Sequence, residues 1–278
     1  MGAALSRRLI VNADDFGRDP AANEGITEAH DRGILTCASL MVNEPSAAAA
    51  VELARRRPNL GVGLHLTLVC GHGALSPEQA PHLVDGRGRL SDNAPKAGML
   101  YFFSRAARAE VEREVTAQVQ KFKETGLPLD HVNGHLHLHL HPVVADILLD
   151  HAEEWGIDAL RWSRDLFWMS WKLGSGPLFY RVLHAVIFNL LCLRVKKRFC
   201  KMGIRHTPRV FGLMQTSHVD EAYLLKLLEH LPPGDSEVYS HPSTEAKYQK
   251  EFSALTSPNV LRKMKEERIE LICYRDLQ

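Results

Sequence analysis

Absences narrow the possibilities before any motif does. The five cysteines, Cys37, Cys70, Cys192, Cys200 and Cys273, are odd in number, scattered and without a C-x-x-C pair. That argues against a disulfide framework and a cysteine-rich zinc site, and a reducing cytoplasm is the simple reading. Charge of one sign is not in excess either: 34 Lys and Arg meet 33 Asp and Glu, so the electrostatic footprint of a nucleic-acid binder is missing and a neutral substrate fits better. The longest uncharged stretch, Val182 to Leu193, is about a dozen residues and contains His184 and Asn189, short of the roughly 20 apolar residues a membrane-spanning helix needs. About eight residues precede the first expected strand, too few for a secretory signal. With no internal repeat or low-complexity linker, residues 1–278 read as a single domain.

Short apolar runs alternate with helical stretches. Arg8 to Ala13, Ile34 to Val42, Gly61 to Leu68, Ile157 to Trp162, Arg209 to Gln215, Glu237 to Ser240 and Ile269 to Tyr274 are the expected buried strands. Helices are expected over Ala21 to Arg32, up to Arg57, over Glu110 to Glu124 and from Pro142 to about Trp155, with a long loop from Val69 to Lys96. This alternation predicts a parallel sheet with helices outside it, and its functional groups at the C-terminal strand ends. Between Asp130 and Pro142, a two-residue period puts His131, Asn133, His135, His137, His139 and His141 on one face and Val132, Leu136, Leu138 and Leu140 on the other, which predicts an imidazole-bearing strand.

Polar groups gather at the expected strand ends. Asp14 and Asp15 close the first strand; one carboxylate can ligate a divalent metal while its neighbour takes a proton from water beside that metal. An isolated Asp-Asp pair otherwise reads as a turn and helix cap. His65, near the end of the third strand, is a candidate ligand or a hydrogen-bonded core histidine. Same-face neighbours on a strand are about 6.5 to 7 Å apart, so one ion is not expected to gather all the histidines of the imidazole strand. His135, just after Asn133-Gly134, is the chosen ligand, leaving His137 and His139 for substrate contact or ligand support. His241, before Pro242, is the best-placed general acid for a departing amine.

Taken together, Ile10 to Gly17, Gly63 to Thr67, His131 to Pro142 and Ser240-His241-Pro242 resemble, in order and spacing, the YdjC-like carbohydrate deacetylases, which include chitooligosaccharide deacetylase. The resemblance implies an irregular (β/α) barrel, TIM-barrel-like, that removes the N-acetyl group of an amino sugar with one divalent metal ion, zinc or magnesium. It implies Asp15, His65 and His135 as metal ligands, Asp14 as base, His241 as general acid, and Arg161 as the residue orienting the base or the sugar. Where the family often has Asp-Ser before the ligand histidine, this chain has Asn133-Gly134.

Residues 166–205 form an expected insertion rich in bulky apolar side chains, among them Trp168, Trp171 and Phe188, ending in Arg194, Lys196, Lys197, Arg198 and Lys201. Residues 166–201 either dock peripherally at the inner face of the membrane or supply a core helix with a solvated basic end. The insertion and the Asn-Gly motif look like the branch associated with hopanoid biosynthesis, which implies an N-acetylglucosaminyl hopanoid as substrate. Soluble chitooligosaccharides are the close alternative, and a non-catalytic metal or lipid carrier the alternative of another class.

Overall fold

The computed structural model describes residues 6–173, 178–215 and 218–278. Residues 174–177 of the expected insertion lie outside the described residues.

Among the described residues, seven strands form one all-parallel sheet: β1 (Arg7–Phe16), β2 (Cys37–Leu40), β3 (Gly61–Leu66), β4 (Val132–Gly134), β5 (Val210–Phe211), β6 (Gly234–Ser240) and β7 (Ile269–Leu271). Their order is β4-β3-β2-β1-β6-β5, with β7 pairing the first three residues of β1. The arc from β4 back to β5 is made by the extended segment 158–164 rather than by a full strand. Val132 bridges Leu160, Ala159 bridges Arg205, and the Val210 N–H donates to the Arg164 carbonyl at 2.9 Å. The sheet thus curls into an irregular, barrel-like α/β fold with helices around it.

Alternation along β1 sorts the layers. Leu9, Val11 and Ala13 join the large apolar cluster between sheet and helices, while Ile10 faces inward with Ile272, Cys273, Tyr274 and Leu277 from the C-terminal segment. Beyond Ile10 on that inner face come Asn12 and Asp14, both buried. One end of the barrel is therefore closed largely by apolar side chains, with the buried Asp130–His131 pair against Tyr274, and the other is filled by polar ones.

Helices Pro20–Arg32 and Arg105–Glu124 match the periodic stretches expected of them, and Asp19 caps the first by accepting the Ala22 N–H at 2.8 Å. The stretch from Pro142 breaks into Pro142–Asp150 and Ala152–Trp155, ending at left-handed Gly156. The predicted loop after β3 is held down rather than loose. Buried Glu114 accepts the Ala74 and Leu75 N–H groups, and Gln118 pairs with both backbone groups of Thr67.

One expectation is overturned. The imidazole strand stops at Gly134, and His135–Leu140 is a tight 3-10 turn with Leu136 and His137 in left-handed conformation, φ 50° and 58°. A left-handed backbone cannot continue a β-ladder, so the alternation of faces ends there. His135, His137 and His141 consequently reach one cavity with different partners, while His139 turns away from it.

Candidate active site

A cavity of about 490 Å³ opens at the C-terminal ends of the strands, reached by Asp14, His65, His135, His137, Tyr239 and His241. Its polar part begins with an irregularity in β1. The pairing register with β2 shifts between Ala13 and Phe16, and Asp15 takes φ 67°. Such a bulge re-aims the adjacent carboxylates, which on a regular strand would face opposite ways, toward one site.

Asp15 Oδ1 lies 3.1 Å from His135 Nδ1 and 3.3 Å from His65 Nε2. Three potential ligand atoms, one from each residue, fall within 4.8 Å of one another. The other Asp15 oxygen pairs with Arg18 Nη1 at 2.6 Å, leaving Oδ1 directed at the histidines. His65 is oriented from behind, its Nδ1 2.6 Å from Asn133 Oδ1, so that Nε2 faces Asp15. An Asp-His-His set with open positions fits a divalent ion. Burial works to lower the His135 pKa, but Asp15 beside it raises it to about 10. The Asp15 carboxyl is correspondingly held well below its ordinary range, against the effect of burial.

Asp14 sits in a different arrangement. Arg161, with no solvent exposure, donates from Nη1 and Nη2 to its two oxygens at 2.7 and 2.9 Å, and from Nε to Glu237 at 2.8 Å. Asn12 and Asn133 amides donate to Asp14 Oδ1 at 2.9 and 3.1 Å, and both also donate to Ser39. Burial pushes the Asp14 pKa up, yet the Arg161 guanidinium and nearby His65 hold it well below the carboxylate range. Asp14 is thus a fixed, ionised carboxylate at the cavity edge. Asn133 links the two groups, touching His65 with its oxygen and Asp14 with its nitrogen.

His241 lines the same cavity, and its Nδ1 is 3.7 Å from Glu251, an ion-pair distance beyond a hydrogen bond. Glu251 is buried and accepts the Val219 and His241 backbone N–H groups at 3.0 and 2.6 Å. Burial would lower the His241 pKa, but Glu251, Asp15 and Asp14 raise it overall. That shift favours the protonated imidazole.

The remaining histidines divide by environment. His137 reaches the cavity between Tyr239 and Ser163, both at 3.1 Å, and burial with Arg161 drives its pKa well down. His139 is buried away from the cavity with Nε2 on the Arg161 carbonyl at 3.1 Å, its pKa lowered to about 3 by burial and Arg161. His141 bonds the Gly98 carbonyl, and His131 sits between Ser39 and Asp130 inside the barrel. Sequence reasoning missed Glu251, Glu237, Ser39 and Arg18, all of which act through another side chain and carry no local signature. The apolar wall of the cavity includes Ile187, Phe188 and Leu191 of the helix Leu178–Met202, and Phe188 packs on His137 at 5.0 Å between ring centroids.

Comparison with known proteins gives a consistent kinship. A family model described as YdjC-like protein matches residues 8–266. A protein of Geobacillus stearothermophilus named carbohydrate deacetylase is 32% identical over 276 residues, spanning 98% of each chain. A carbohydrate deacetylase of Brevibacillus brevis is 45% identical over 152 residues, which are 54% of this chain and 57% of its own length. The crystal structure of an Enterococcus faecalis protein, described as a candidate cellobiose-phosphate cleavage protein, has a TM-score of 0.73 at 24% identity, covering 97% of this chain and 98% of that one. That likeness speaks to the fold.

Proposed function

The chain belongs to the YdjC-like protein family, and from that premise we propose that it is a carbohydrate N-deacetylase acting on an N-acetylglucosamine unit carried by an apolar aglycone, a hopanoid. The observation that carries the chemistry is the meeting of Asp15, His65 and His135 beside the Arg161-held Asp14 in one cavity. Relatives named carbohydrate deacetylase supply the substrate class.

A divalent ion held by Asp15, His65 and His135 would supply Lewis acidity, polarising the acetyl carbonyl and acidifying water at the site. Two imidazoles in the donor set favour zinc over magnesium. Asp14, ionised and immobile, accepts a proton from the water whose oxygen bonds to the acetyl carbon. The amide C–N bond breaks as His241, protonated under the influence of Glu251, passes its proton to the leaving nitrogen. Acetate and a free amino sugar result. Arg161 and Asn133 act by fixing Asp14, and Asn133 additionally fixes the His65 tautomer. At this position an Asp would bring a second carboxylate to the oxygen of Asp14, whereas the Asn133 amide donates to it at 3.1 Å.

The apolar wall favours the lipid-linked substrate over soluble chitooligosaccharides, because Ile187, Phe188 and Leu191 offer a sugar oligomer little to bond with. A carrier without catalysis would have no use for the buried Asp14–Arg161–Glu237 system. Incubation of metal-loaded protein with an N-acetylglucosaminyl hopanoid and with chitooligosaccharides, measuring acetate, tests the proposal. Faster release from the lipid-linked substrate is expected; no release from either rules the function out.

A further inference from the structure

Residues 166–205 hold eight of the chain's 34 Lys and Arg and none of its 33 Asp and Glu. Within them the helix Leu178–Met202 is two-sided. Cys192, Val195 and Phe199 pack into the core, while Val182, Leu183, Val186, Ile187, Leu190 and Leu193 are exposed, Leu190 to 61%. Further along the outward side the exposed residues become Lys196, Lys197 and Lys201. Arg194 and Arg198 are neutralised locally by Asp146 and Asp150.

A second element repeats the pattern. The helix Ala94–Phe103 has no acidic residue and exposes Met99, Phe102 and Phe103, the last to 75%, with Lys96, Arg105 and Arg108 exposed beside them. The two helices share one cavity: Ala94 and Pro95 line it from one and Ile187, Phe188 and Leu191 from the other, with half-exposed Leu136 between. Apolar exposure on this scale marks an interaction surface. No described helix is long and apolar enough to cross a membrane. Large apolar side chains flanked by lysine and arginine, with carboxylates absent from both helices, match the interface of a bilayer bearing anionic lipid.

We propose that these two helices form a membrane-docking face that seats the rim of the cavity on an anionic lipid surface, so that the sugar of a lipid-anchored substrate enters without the lipid leaving the bilayer. The docking stands on the surface alone; its use for substrate delivery rests on the deacetylase reading.

The test is flotation of the full chain with phosphatidylcholine vesicles, plain or containing about 30 mol % phosphatidylglycerol. Binding is expected to the anionic vesicles at low salt and to weaken as salt rises. Leu190→Glu with Phe103→Glu should lower partitioning about tenfold or more, and Lys196→Glu with Lys197→Glu should reduce the preference for anionic lipid. None of these four residues lines the cavity, so acetate release from a soluble N-acetyl sugar should match wild type, which also reports intact folding. Failure to float at low salt, or flotation indifferent to both pairs of substitutions, overturns the proposal. So does a dimer in sedimentation velocity that Leu190→Glu dissociates, because the face would then belong to a second copy. Flotation without acetate release from any N-acetyl sugar would leave docking standing and remove the deacetylase reading.

Discussion

Arg161→Met is the substitution whose consequence can be worked furthest from the structure. The guanidinium is fully buried and bridges two carboxylates, Asp14 at 2.7 and 2.9 Å and Glu237 at 2.8 Å. Asp14 would keep only the Asn12 and Asn133 amides, and Glu237 the Tyr274 hydroxyl. Removing one partner of a buried ion pair strands the other charge and costs about 3–5 kcal/mol, which for a chain of this size lowers Tm by roughly 5–10 °C. The pH dependence has a definite sign. In the wild type, burial raises and Arg161 lowers the Asp14 pKa, with the net value below that of the unfolded chain. Its stabilisation is therefore present above the unfolded carboxylate pKa and lost as pH falls through the folded one. Without Arg161, burial dominates and the sign reverses, so stability falls as pH rises. The Tm gap between wild type and variant, measured by circular dichroism on chelator-treated protein, should be large at pH 8 and shrink toward pH 4.5. Adding Glu237→Gln should recover part of the loss by removing one stranded charge while leaving Tyr274 an acceptor. A gap under about 2 °C at pH 8, or one equal at both pH values, would refute the reasoning.

Other consequences are checked more quickly. Asn133→Ala should weaken zinc binding about 10- to 100-fold by titration calorimetry, since His65 loses its orienting partner. Metal uptake near neutral pH should release a proton from His135, whose pKa is raised to about 10 in the metal-free site, so affinity should rise with pH. Glu251→Gln should move the alkaline limb of the kcat–pH profile to lower pH, because a negative charge that raises the His241 pKa is removed. Leu191→Ala should raise KM about tenfold for a lipid-linked substrate while leaving a soluble sugar little affected.

The ends of β1 and β3 were legible because one apolar run stops abruptly at Asp14-Asp15 and the other carries His65 near its end, and the fold brings Asp14 and His65 to one cavity. The parallel sheet with outer helices followed from the alternation of runs and helices, whereas its barrel-like curl came only through the family resemblance. The turn at His135–Leu140 was not legible, since a Leu-His alternation has the period of a strand and nothing local announces left-handed Leu136 and His137. Arg161 came only through family resemblance, and Glu251 not at all. A buried carboxylate on the helix Gln249–Leu255 looks like any surface residue until Val219 and the His241 backbone are seen to bond it. The apolar make-up of residues 182–193 was likewise evident, but composition could not place Ile187 and Leu191 against the same cavity as His135.

The most direct test of the central claim compares wild-type protein with Asp14→Asn after loading with zinc, measuring bound metal and acetate released from an N-acetylglucosamine substrate. The account predicts about one ion per chain in both proteins and a loss of turnover of about a thousandfold in the variant. Equal acetate release from the two, at equal metal content, would contradict it.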